Sequence, residues 1–153
     1  MAVPRIVRQA DVTWEGNVAR GSGRITAASS GAFVDVPFTL ASRIGDPEGK
    51  TSPEELLAAA HAGCFTTSLG SELTRAGTPA ERLDVRCTIT MDEVEGVGHR
   101  IVASAIEARG RVPGSDTAAF AQAAAAADDG CPFSALVRAS ATVTIQAIFE
   151  GGE

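Results

Sequence analysis

Apolar and polar residues alternate through most of the first third of the chain. In "ADVTW", Ala10, Val12 and Trp14 share one side, the period-two pattern of a half-buried strand. "EGN" offers a turn before a second extended run, "VARGSGRITA", and "SSG" at 29–31 offers another. "AFVDVPFTL" then sets Val34, Val36, Phe38 and Leu40 on one face, with Pro37 marking an edge strand or an irregular one. Alternation stops over 41–51, where Gly45, Pro47 and Gly49 predict a loop.

The period then changes to that of a helix. Ser52 suits an N-cap, Pro53 the first helical position, and Glu55 the third position of a capping box. The helix is predicted to run to about Arg75, where "AGTP" ends it. "LDVRCTITMD" alternates strictly, with Leu83, Val85, Cys87, Ile89 and Met91 on one face, and "EGVG" turns it into "HRIVASAIEARGRV". "PGSD" introduces an alanine-rich helix over 117–127, closed by "DDG", because alanine is the best helix former. After Cys131 and Pro132 comes a short helical turn. A last strand, "VRASATVTIQAIF", places Val137, Ala139, Ala141, Val143, Ile145, Ala147 and Phe149 on one face. The predicted order is β-β-β-α-β-β-α-β: an α+β fold of antiparallel, hairpin-built sheets around a central helix, as one domain over 1–153.

Composition narrows the possibilities. With 44% apolar and 21% charged residues in 153, the chain is an ordinary globular one. Its net charge of −6 argues against nucleic-acid binding, which needs a basic face. The opening "MAVPRIVRQADVTWEG" has no apolar leader core, and the apolar stretches at 56–60 and 123–127 are too short to span a bilayer. A cytoplasmic protein is therefore expected, with no membrane or nucleic-acid partner. Thiols stay reduced there, so the three cysteines read as free, catalytic or redox-sensing rather than as a structural disulfide set.

The cysteines differ in setting. Cys87 sits between Val85 and Ile89 on an alternating face and reads as a small buried hydrophobe. Cys64 lies about three turns inside "TSPEELLAAAHAGCF", with Ala60, His61, Thr67 and Ser68 as its helical neighbours. That face is small and partly polar, with room beside the sulfur. Cys131 follows Gly130 and precedes Pro132, near a helix start, where backbone N–H groups favour a thiolate. The separation of Cys64 from Cys131 fits no metal knuckle. Residue by residue, both are candidate redox thiols, and both can equally be structural.

"TSPEELLAAAHAGCF" and "GCPFSAL", with "TWEGNVARGSG" and "ASRIGDPEGKTSPEEL", resemble the OsmC/Ohr family of osmotically inducible and organic hydroperoxide resistance proteins, in its OsmC branch. The resemblance spans nearly the whole chain. It implies a thiol peroxidase of oxidative and osmotic stress defence that reduces organic hydroperoxides as an intertwined homodimer, without a cofactor. It places the reactive cysteine on Cys64, the resolving cysteine on Cys131, the active-site arginine on Arg43 and its paired glutamate on Glu54. An external dithiol, a lipoyl-protein or a thioredoxin-like one, would reset the Cys64–Cys131 disulfide.

Each of these residues also has a plainer reading. Glu54 near a helix start is a favourable charge at the dipole, Arg43 a solvated loop residue, and Phe38, Phe65 and Phe133 core. His61, three residues before Cys64, can be a packed histidine or a base for that thiol. Two other functions compete: a redox sensor or metal site using His61, Cys64 and Cys131 without turnover, and a Cys–His hydrolase. The first lacks a fourth ligand other than His99, and the second lacks a recognisable orienting acid.

Overall fold

The computed structural model describes residues 3–152. Contacts group the chain into two compact units, one ending at Pro53 and the other beginning at Glu54.

The first unit is a three-stranded antiparallel sheet in the order β1-β2-β3, from β1 (Asp11–Glu15), β2 (Ser22–Thr26) and β3 (Val36–Phe38). Gly23 pairs with Trp14 on one side and Phe38 on the other. Their rings meet over it with centroids 5.5 Å apart. A Cβ on Gly23 would lie 2.3 Å from Phe38 and 2.8 Å from Trp14, so only glycine admits this contact. Pro37 occupies the edge strand, where its missing N–H removes no bond from a second neighbour.

The structure corrects the expected strand over 32–40. Asp35 takes a left-handed φ of 53°, which breaks the alternation before Val36. Leu40 does not extend the strand but opens a short helix, α1 (Leu40–Ile44), in what was expected to be loop. Thr39 caps it: its hydroxyl accepts the Ser42 N–H, and Ser42 Oγ accepts the Thr39 N–H, each at 3.0 Å. The box uses serine where glutamate or glutamine is usual, and the helix is only five residues long. Both features hide it from a pattern search.

In the second unit, α2 (Pro53–Arg75) begins and ends where its sequence signals place it. His61, Phe65, Leu69 and Leu73 form its buried stripe at four-residue spacing. The three apolar members join Ile106, Ala108, Val112, Phe120, Ala124, Ala127 and Cys131 in one core cluster. Burying Phe65 and Leu69 completely stabilises the fold by about 1.5–3 kcal/mol each. β4 (Arg82–Val94) and β5 (Gly98–Arg111) form an antiparallel hairpin with an irregularity at Thr90/Met91. α3 (Thr117–Gly130), N-capped by Asp116, leads through α4 (Pro132–Arg138) to β6 (Thr142–Phe149).

Two details of the second unit differ from expectation. β6 runs parallel to β5, giving a sheet in the order β4-β5-β6 that is not wholly antiparallel. The helical crossover between them is long enough to return the chain to the same end of the sheet, as parallel pairing requires. Val137 is also not in the final strand: it is a buried residue of α4, and Ala139 caps that helix. Observed strands and helices together make an α+β fold. Among the described residues, no helix is long and apolar enough to cross a membrane.

Candidate active site

Two of the three cysteines meet between α2 and the start of α4. Cys64 projects from α2, half-buried, one turn before Thr67 and Ser68. Cys131 ends α3 and begins α4, acting as C-cap of one and N-cap of the other. Its own N–H donates to the Asp128 carbonyl at 3.2 Å, and its sulfur accepts the Ser134 N–H at 3.4 Å. Pro132 follows naturally, since the first helical position has no N–H to satisfy. Cys131 is 1% exposed. The Cys64 and Cys131 sulfurs lie 3.2 Å apart, and both are free thiols.

Burial pushes the Cys64 thiol above its ordinary pKa, and its hydrogen bond with Cys131 pushes the same way. A backbone N–H of Phe133 and the Ser68 hydroxyl bond to Cys64 and oppose that shift. These two donors are invisible to sequence motifs, although Ser68 follows Cys64 at helical spacing. On balance these contacts favour the protonated thiol over the thiolate. A cation would be needed to make it a good nucleophile.

His61 does not pair with Cys64. It is fully buried, with Nδ1 2.6 Å from Ser104 Oγ of β5 and Nε2 2.8 Å from Ser134 Oγ of α4. Burial lowers its pKa first, Arg138 lowers it further, and Asp128 opposes them. Both ring nitrogens are engaged by serines, which corrects the idea of a base or metal ligand aimed at Cys64. Cys87, half-buried, lies beside the same cluster, its sulfur 3.2 Å from Ser104 Oγ and 3.8 Å from His61 Nδ1. Burial raises its pKa, with the Ser104 bond acting against it. Among the described residues, no group of three or more His, Cys, Asp or Glu is placed to hold a metal ion. His99 is on β5, exposed and opposite Glu93.

A pH dependence follows from His61. Its folded pKa lies below the unfolded value of 6.5, so folding favours the neutral ring. The stability this contributes is full above about pH 6.5 and is lost as pH falls below it. Thermal unfolding should therefore show a lower midpoint near pH 5 than near pH 7.5, and His61→Gln should flatten that difference. Equal pH slopes in the two proteins would count against a neutral, buried imidazole.

Arg43 and Glu54 complete the set named by resemblance. Arg43 lies in the last turn of α1 and lines a cavity of about 170 Å³ with Trp14, Val18, Phe38, Thr39 and Leu40, all in the first unit. Glu54 lies in the first turn of α2. Ten residues separate it from Cys64, about 15 Å along the helix and about 80° around it. Glu54 therefore cannot sit beside the Cys64 of its own chain.

On this fold, two free thiols in contact make up a dithiol site. Residues 45–146 match the OsmC-like protein family. Peroxiredoxin OsmC of Escherichia coli (strain K12) is 33% identical over 141 residues, covering 92% of this chain and 96% of that protein. The chain belongs to the OsmC-like family. Among solved structures, the organic hydroperoxide resistance protein OhrB of Bacillus subtilis superposes with a TM-score of 0.72 at 22% identity, covering 91% of this chain and 97% of that one. An OsmC organic hydroperoxide resistance protein of Legionella pneumophila gives 0.70 at 19% identity, covering 94% and 99%. At those identities the structures share the fold.

Proposed function

We propose that the protein is a cysteine-based peroxidase that reduces organic hydroperoxides, alkyl or fatty-acid, to alcohols in stress defence. The observation that carries this reading is the 3.2 Å contact between two free thiols, one half-buried and one buried, in an OsmC-like chain. The peroxiredoxin and hydroperoxide-resistance names of its relatives agree with it.

The chemistry proceeds in three steps. The Cys64 thiolate attacks the distal peroxide oxygen, the O–O bond breaks, and the departing alkoxide takes a proton to become the alcohol. Cys64 is left as a sulfenic acid. The Cys131 sulfur then attacks it, forming the Cys64–Cys131 disulfide as hydroxide leaves with the Cys131 proton as water. A dithiol, lipoyl-protein or thioredoxin-like, reduces that disulfide by exchange and is itself oxidised.

Arg43 supplies the cation that the raised Cys64 pKa calls for, and it donates hydrogen bonds to the peroxide oxygens. Glu54 holds the guanidinium. Within the first unit, Arg43 lines an apolar cavity with Trp14, Val18, Phe38 and Leu40. Because Glu54 cannot reach its own chain's Cys64, the site is completed in a homodimer. Two copies of α2 packed antiparallel about a two-fold axis near Ala59 bring residue 54 of one level with residue 64 of the other. Exposed Ala59 and Gly63, flanked by half-buried Ala58 and Ala62, are small enough for that approach.

Competition of cumene hydroperoxide against hydrogen peroxide, with a dithiol as reductant, tests the substrate class. Each buried methylene contributes about 0.8 kcal/mol, or about fourfold in kcat/KM. The organic peroxide should therefore be preferred by about tenfold or more. Equal efficiencies for the two peroxides would contradict the reading.

A further inference from the structure

We infer that His61 is a positioning residue for the resolution step, holding Cys131 against Cys64 through the hydroxyl of Ser134. The inference rests on Cys64 and Cys131 being the peroxide-reducing pair. His61 lies one helical turn before Cys64 on α2, and Ser134 lies one turn after Cys131 on α4. The 2.8 Å bond between His61 Nε2 and Ser134 Oγ therefore runs beside the 3.2 Å sulfur contact and joins the same two elements.

Ser134 serves both ends of this arrangement. Its hydroxyl meets His61, while its backbone N–H donates to the Cys131 sulfur at 3.4 Å. On the other side of the ring, Nδ1 is fixed by Ser104 Oγ at 2.6 Å, which anchors the imidazole to β5. His61, Ser104 and Ser134 are each 0% exposed, so water cannot replace a lost partner cheaply. A neutral ring has one donor and one acceptor nitrogen, and two hydroxyls satisfy either tautomer. At the far side of the Cys131 turn, Asp128 Oδ2 pairs with Arg138 Nη2 at 2.6 Å and ties the end of α3 to the end of α4.

The step that depends on this spacing is attack of the Cys131 sulfur on the Cys64 sulfenic acid, which forms the S–S bond and releases water. Its competitor is a second organic hydroperoxide, which oxidises the sulfenic acid to sulfinic acid and is itself reduced to alcohol. An intramolecular attack loses rate steeply when the reacting atoms are misplaced. Loosening α4 from α2 should therefore divert Cys64 from disulfide to sulfinic acid.

The experiment treats each reduced protein with excess cumene hydroperoxide, without reductant, and reads the ratio of sulfinic acid to disulfide by intact mass. In Ser134→Ala that ratio should rise roughly tenfold over wild type. His61→Gln places a polar group near Nε2 and should keep the ratio near that of wild type. His61→Asn, which reaches only toward the Nδ1 side and Ser104, should not. A role limited to overall stability would not separate these last two. An unchanged ratio in Ser134→Ala, or equal ratios in His61→Asn and His61→Gln, overturns the inference while leaving the thiol pair intact. Failure of the wild-type protein itself to form the Cys64–Cys131 disulfide overturns the pair, and the inference with it.

Discussion

Cys64→Ser is expected to abolish peroxide turnover, with a loss of at least about a thousandfold in a steady-state assay. Serine at this position has no accessible anion near neutral pH, and its hydroxyl is a poor nucleophile toward peroxide oxygen. Cys131→Ser should behave differently. Its Cys64 still meets Ser68 and the Phe133 N–H, so the first oxidation proceeds once. The sulfenic acid then lacks the Cys131 thiol, 3.2 Å away in the wild type, to condense with. Single-turnover mass spectra should show an added oxygen on Cys64, followed by over-oxidation as peroxide is raised. Sustained turnover in Cys64→Ser would assign the chemistry to another residue. Sustained turnover in Cys131→Ser would assign resolution to another thiol.

The second large effect is a recovery of activity. Cys64→Ser and Glu54→Ala are each expected to be nearly inactive as homodimers. Co-expressed or mixed to exchange subunits, they should form heterodimers with about half of wild-type activity, which is about a quarter for a statistical mixture. With the site completed in trans as proposed, one site of the heterodimer would take Cys64 from one subunit and Glu54 from the other, both intact. The second site carries both lesions. The expectation follows from helix geometry, because Glu54 and Cys64 of one chain are about 15 Å apart along α2. Heterodimers verified by mass that show no recovery would mean that the site is completed within one chain.

How far the sequence displayed these features depended on whether each signal was local. α2 was legible at both ends because Pro53 and two glutamates open it and "AGTP" closes it. β4 was legible because five apolar residues alternate without a break. α1 was not, since Thr39 and Ser42 form an unusual capping box over five residues. Asp35, too, could not announce that its backbone would turn left-handed inside an alternating run. The parallel pairing of β6 lies in the path of the crossover rather than in the strand's own residues.

The site divides in the same way. Cys64 and Cys131 stood out as thiols in unusual local settings, but their contact is tertiary. Arg43 and Glu54 came from family resemblance alone. His61 was visible, yet its partners are distant in sequence. One available clue was Ser104, a polar residue on the inward face of β5 two residues before buried Ile106 and four before Ala108. A hydroxyl facing a core requires a polar partner there, and the stripe of α2 facing the same core offers one, His61.

Peptide mapping of peroxide-treated protein, alkylated before digestion, tests the thiol-pair mechanism most directly. One bridge should dominate, joining the peptides of Cys64 and Cys131, with Cys87 recovered as an alkylated free thiol. A dominant bridge containing Cys87, or three alkylated thiols after peroxide has been consumed, would contradict it.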